Sequence, residues 1–492
     1  MDVGRAGFGT AVLNGCWREK YDYHDDITAR ALYLEKGENR VLVVVTDLSY
    51  FARSSAWQVR QYLSKKSGVP VENVVLYTTQ NHCAPGEREQ LNIPEISGRC
   101  LDASLQAISG THSAMVSLAV ADVNGQFSIN RRKYINHRLG TLTFWYGYRI
   151  EGGRADARNL VRHFLRTLLG PNPATTYAIE NPSESISDVP RAEEVPELAH
   201  PIWFDRYADP LVQLLVFQTL EGQPLGSLIR FSAHPGTANR IGAFRYSGDF
   251  PYYVRQALER ELGGIAIFAT GPCGNIVCKV DVKSFELARR VGEELAEVTL
   301  KSFRESKETF HPIELLKTSS QTVDLPIRPD FPSTVEEAKI REREVRQKLK
   351  EAVVGHAPLR EIKKLADQAT FLSYVPHMLN DWVKPTLEEI KQKRLSVELH
   401  GFRINDVIVV GLPGEGFAET SLGLRANSLG RKLIVLEECN GYIVYIPTPD
   451  DFPGGSYEVN CAIIAENGEP ILRSGAIQLI QQLGNNATAY PY

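Results

Sequence analysis

A chain of 492 residues that is 43% hydrophobic and 23% charged, with a formal charge of −4, has the composition of an ordinary globular protein with a large core. The near-neutral balance, without a Lys/Arg block, argues against nucleic acid as the main partner, and no apolar run approaches the roughly 18 residues needed to span a membrane. Seven cysteines, an odd number spread along the chain, fit a reducing compartment, and residues 1–20 lack the basic and apolar regions of a signal peptide, so the expected location is the cytoplasm.

Thr28 to Asp47 reads as a hairpin, two apolar strands around Lys36-Gly-Glu-Asn. Ser54 to Ser67 has helical spacing at Trp57, Val59, Tyr62 and Leu63. It leads into the strand NVVLYTTQNH that ends at His82, so a parallel βαβ unit is expected. Cys100 to Val120 reads as helix then strand. Arg131, Arg132, Lys133, His137 and Arg138 form a basic cluster whose commoner meaning is a solvated loop and whose sharper one is an anion clamp. Residues 171–201 read as a long polar surface loop. A second hairpin turns at Glu221-Gly-Gln-Pro, and its apolar second strand stops at His234-Pro-Gly. Helices follow over Tyr252 to Leu262 and Val282 to Lys301, with the strand IAIFATG between them. Residues 333–394, opened by the capping pattern Thr334 and Glu337, predict a charged, solvated helical insertion. The chain then returns to strands through Glu415 and Tyr445 and closes in a helix. The expected fold is α/β: a mixed sheet core with flanking helices, in a single domain over residues 1–492.

Several of these apolar runs stop abruptly at a polar residue: Asp47, His82, His234, Asn275, Glu415 and Tyr445. In open α/β sheets ligands bind outside the carboxyl ends of strands, so His82, His234, Glu415 and Tyr445 are expected to converge. Two imidazoles, a carboxylate and a phenol are ligands suited to Zn²⁺ or a similar divalent ion. A strand end that merely meets solvent is the bland alternative for each. Cys83, Cys273 and Cys439 also stand near strand ends, as thiolate ligands, nucleophiles or inert packing. Asp47 and Asp249 are candidates to orient ligands or to cap backbone N–H groups.

The chain resembles the catalytic domain of the neutral ceramidase family, zinc-dependent amidases of N-acyl sphingoid bases. The resemblance runs from Ala6 to about Tyr457 through TARALYL with VVVTDL, TTQNHCAPG, SINRR, DPLVQLLVFQTLEGQPLGSLIRFSAHP, FATGPCGN, GLPGEGFAETSLGLR and NGYIVYIPTPDDFPGGSYE. It implies metal-ligand roles for His234, Glu415 and Tyr445, with one divalent metal, zinc, as cofactor. It implies substrate or oxyanion contacts for His82, Arg131 and Tyr457. The family's remaining histidine ligand falls on Gln80, whose neutral amide oxygen is a weaker zinc donor. A family serine falls on Val277. The secretory signal and the C-terminal β-sandwich domain typical of the family are not expected.

The function this implies is hydrolysis of an amide in a small N-acyl substrate by metal-activated water. The alternatives are a non-catalytic ligand-binding relative and an enzyme with a rearranged metal centre.

Overall fold

The computed structural model describes residues 3–17, 22–86, 88, 90–123, 125–136, 140–143, 207–238, 245–279, 283–306, 309–355, 357–428 and 432–485. The polar stretch 171–201, His137 and Arg138 lie outside the described residues.

Continuous apolar runs form strands because both faces of each are covered. The strand Asn39–Thr46 is the clearest case. Leu42 and Val44 pack against Val59 and Leu63 of helix Arg53–Ser67 and against Ile96 and Ala103 of helix Ile93–Ser109. Val41, Val43 and Val45 point the other way, onto Phe402, Ile404, Val409 and Ile434 of a second sheet. Of the four residues that gave the first helix its spacing, Val59 and Leu63 are buried and Trp57 and Tyr62 lie on its exposed side.

The first sheet orders its strands Ile265–Thr270, Pro224–Phe231, Leu211–Thr219, His112–Asp122, Arg5–Val12, Thr28–Lys36, Asn39–Thr46, Val74–Thr78. Most neighbours are antiparallel, including both expected hairpins. The parallel pairs are Asn39–Thr46 with Val74–Thr78, as the expected βαβ unit requires, and Pro224–Phe231 with Ile265–Thr270. Gly7 and Gly9 let helix Ile93–Ser109 approach closely, since a Cβ at either would sit 2.0 Å from a helix carbonyl oxygen. Helices Asp249–Leu262 and Phe285–Glu305 cover the other half of the sheet through Val254, Leu258, Val291 and Leu295.

The second sheet runs Leu316–Pro326, Arg394–Ile404, Val407–Gly411, Lys432–Leu436, and its last pair is parallel. Its outer face packs on helices Gly468–Gly484 and Leu359–His377. The molecule is thus layered helix, sheet, sheet, helix, a mixed α/β architecture. The helical segment expected over 333–394 is present as helices Val335–Val354, Leu359–His377 and Leu387–Gln392, but it is not merely solvated: Phe371, Leu372 and Val375 are buried in the core.

Two expectations change. The cluster Arg131, Arg132 and Lys133 is buried rather than solvated. The run LIVLEECNGYIVY is not one strand: the ladder stops at Leu436. Beyond it the backbone N–H groups leave the sheet, Glu437 bonding Thr270, Cys439 bonding Leu412 and Asn440 bonding Leu76. Tyr445 then begins a separate two-residue strand paired with Glu415–Gly416.

Candidate functional site

The carboxyl ends of three parallel strand pairs meet in one place. One pair ends at Thr46 and Thr78, the second at Phe231 and Thr270, the third at Gly411 and Leu436. Thr270 Oγ1 donates to the Thr79 carbonyl at 2.8 Å, and the Glu437 N–H donates to the Thr270 carbonyl at 3.0 Å. The residues just past these ends, Gln80, His82, His234, Cys273, Glu415 and Glu437, are thereby gathered at one site, as ligand-binding α/β sheets place theirs.

His234 is buried, and its Nδ1 lies 2.8 Å from the Ile276 carbonyl oxygen. That oxygen only accepts, so in a neutral ring Nδ1 carries the proton and Nε2 presents a lone pair. Nε2 faces Glu415 Oε2 at 3.0 Å, while Glu415 Oε1 accepts the Tyr442 hydroxyl at 2.5 Å. Two lone pairs facing each other in a buried site require a proton or a cation between them. Tyr445 is the ladder partner of Glu415, which brings its side chain beside the carboxylate. Burial, then the charge of Glu415, pushes the Tyr445 phenol well above its ordinary range, while Arg131 opposes both.

Arg131 is held by Glu458 at 2.7 Å and by the Gly274 carbonyl at 2.8 Å, and donates to the Tyr445 hydroxyl at 3.0 Å. Burial alone would lower its pKa, but Tyr445, Glu458 and Glu415 outweigh that and keep the guanidinium charged. Its guanidinium lies over the rings of Tyr445 and Tyr457, and these two rings meet edge to face at 5.5 Å. The His82 ring is exposed and 5.3 Å from that of His234. Gln80, His82, Arg131, His234, Glu415, Tyr445 and Tyr457 therefore lie in one neighbourhood.

Gln80 takes a positive φ of 56° at its strand end, and its Oε1 accepts a contact from the Cys273 thiol at 3.4 Å. Cys273 also reaches Glu437 Oε1 at 2.8 Å and His234 Nδ1 at 3.4 Å. Burial and the adjacent Glu437 push this thiol well above its usual range. Cys83 instead contacts Asp249, and Cys439 lies beside Gly411 and Tyr77. Asp47 forms a two-pronged pair with Arg255 at 2.5 and 2.8 Å. Asp249 accepts from the backbone N–H groups of Ala238 and Phe250 at 2.8 and 2.7 Å, the capping outcome that fixes the turn after His234. Val277 bridges His234 and puts an apolar side chain where the resemblance implies a serine.

Sequence reasoning missed Tyr442, Glu437, Glu438 and Glu458. Adjacent carboxylates closing an apolar strand, as in LIVLEE, were the available signal. Burial holds the carboxyls of Glu437 and Glu438 well above the ordinary carboxylate range, and the charge of Glu415 adds to the effect on both. The concavities lined by Val116, His311 and Arg403 and by Leu118, Gln213 and Arg425 are elsewhere on the molecule.

By residue type His234, Glu415 and Tyr445, an imidazole and two oxygen donors, match the ligands a divalent metal takes. Among the described residues no three His, Cys, Asp or Glu side chains cluster as a metal site.

No family model and no curated protein sequence matches the chain. Solved structures do. A neutral ceramidase from Pseudomonas aeruginosa superposes with a TM-score of 0.63 at 18% identity, over 99% of this chain and 76% of that one. A ceramidase complexed with C2 gives 0.61 at 16% identity, over 100% of this chain and 78% of the other. At such identities the likeness is one of fold, and the chain has a neutral-ceramidase-like α/β fold.

Proposed function

We propose that the protein is a metal-dependent hydrolase of N-acyl amides, a divergent, cytoplasmic relative of the neutral ceramidases. The observation that carries this reading is the His234 and Glu415 pair. Its facing lone pairs need a proton or a cation between them, and the Tyr445 phenol alongside is a further donor that a cation, unlike a proton, would use. His234, Glu415 and Tyr445 would hold the ion, zinc by the chemistry of the donors, and Gln80 is at most a weak fourth ligand. When bound, such an ion polarises the amide carbonyl and makes water acidic enough to attack it.

The chain's own groups do the rest. Water oxygen adds to the carbonyl carbon, the C–N bond breaks, and a proton passes to the departing amine. The Tyr457 phenol, kept protonated by burial and so able to donate, together with the Arg131 guanidinium and His82, stabilises the charge that develops on the carbonyl oxygen. Seven cysteines, all buried and unpaired, support the reducing setting.

The second reading, a binding protein without turnover, draws on the Cys273 contact to Gln80 and on Val277 beside His234. Turnover of a panel of N-acyl amides by protein supplied with Zn²⁺, Mn²⁺ or Fe²⁺ separates the two. Release of free amine that chelation abolishes is the expected result. No release from any substrate with any of the metals would overturn the hydrolase reading.

A further inference from the structure

The mouth of this site contains a cation that neither the sequence motifs nor the proposed chemistry uses. Lys283 is the last residue before the cap of helix Phe285–Glu305, where Ser284 accepts from the Leu287 N–H. Two backbone bonds set its position. The Ser284 N–H donates to the Thr237 carbonyl at 2.9 Å, and the His82 N–H donates to the Pro235 carbonyl at 2.8 Å. The His82 loop, the turn after His234 and the start of the helix are thus tied together. Gly236 measures the result: a Cβ there would sit 3.7 Å from His82 Cβ and 3.8 Å from Lys283 Nζ. The ammonium therefore lies on the same side of the turn as His82.

Lys283 is partly buried, yet among the described residues no carboxylate forms an ion pair with it. Asp249, the closest acidic influence, is already saturated by Ala238 and Phe250 N–H groups, both donors of Thr237 and the Cys83 thiol. Asp25 is occupied by Ser247, Gly248 and Tyr253. Burial accordingly lowers the Lys283 pKa, with Asp249 and Cys83 acting against it and Arg131 with it. A second cation, Arg245, stacks over Phe285 at 5.3 Å on the same helix end. A partly buried ammonium that flanks the same turn as His82, and with which no described carboxylate forms an ion pair, is stabilised by an anion from a ligand.

We infer that Lys283 binds a carboxylate on the amine half of the substrate, so that the favoured substrates are N-acyl amino acids rather than uncharged N-acyl amides. A carboxylate on the carbon next to the amide nitrogen projects a few bonds from the scissile carbonyl on which His82 is proposed to act, and Lys283 Nζ and the His82 side chain flank the same Gly236 position. This assignment rests on the amide-hydrolase reading only for the identity of the bond cleaved.

The test compares N-lauroylglycine with N-lauroylglycinamide, which differ only in the carboxylate, on zinc-supplied parent, Lys283→Met and Lys283→Arg. The readouts are the ratio of kcat/KM values and, independently, the ratio of affinities by calorimetry. The parent is expected to favour the carboxylate compound by about tenfold or more, Lys283→Met to bring both ratios near one, and Lys283→Arg to restore most of the preference. Equal use of the two compounds by the parent, or an unchanged ratio in Lys283→Met, overturns the inference. Binding preference that depends on Lys283 without turnover of either compound would sink the hydrolase reading and leave the anion assignment standing. Turnover of both without preference would do the reverse.

Discussion

Glu458 joins the site to the core by meeting two guanidinium groups at once, Arg131 and Arg132, each at 2.7 Å, and it also accepts the Thr143 hydroxyl at 2.6 Å. Burial pushes its carboxyl upward, but Arg131 and Arg132 outweigh this and hold it ionised below its ordinary range. Such a group is worth more than its pairwise attraction, because its loss leaves two charges buried with one partner fewer. Glu458→Ala is expected to lower unfolding stability by about 3–5 kcal/mol, read from the urea midpoint. A loss below about 1 kcal/mol would show that water or another acid replaces it. The arginine run was visible in the sequence, but its burial was not, because the acids that neutralise it stand more than 300 positions away, at Asp451 and Glu458.

At the scale of elements, the site is a property of strand ends. His234 and Glu415 were legible because each closes an apolar run and is bounded by Pro or Gly, which mark where a ladder stops, and His82 because it follows the apolar run of Val74 to Tyr77 a few polar residues on. Tyr445 was singled out as the end of the run LIVLEECNGYIVY, but that run is not one strand. Its strand is two residues long and follows a segment with positive φ at Glu438, Asn440 and Val444, a path that no period of hydrophobicity records. Gly274 is where two of these ends touch. Its N–H donates to the Gly416 carbonyl at 2.9 Å, and a Cβ there would sit 2.6 Å from the Glu415 carbonyl oxygen, so the backbone itself must move to admit one. Gly274→Ala is expected to cost about 1–3 kcal/mol of stability and, by displacing Glu415, about tenfold or more in amide turnover. Unchanged turnover would mean that Glu415 does not need its present position.

At the scale of the whole molecule, the two hairpins, the βαβ unit and the helical segment near 333–394 could be read from local patterns, because each is set by neighbours in sequence. The stacking of one sheet on the other could not. It follows from which face of each continuous apolar strand meets helices and which meets the second sheet, and such strands have no alternation to distinguish the faces. That stacking aligns the parallel ends of both sheets, and so brings Glu415, just past the second sheet's strand Val407–Gly411, to His234, just past the first sheet's strand Pro224–Phe231. No helix among the described residues is long and apolar enough to cross a membrane.

The central claim is that His234 and Glu415 share one divalent cation. Metal analysis of protein purified without chelators and then reconstituted with zinc, with His234→Ala alongside, tests it most directly. The parent is expected to retain about one equivalent after dialysis and the variant to lose it. Less than about a tenth of an equivalent in the parent, or equal content in parent and variant, would contradict the claim.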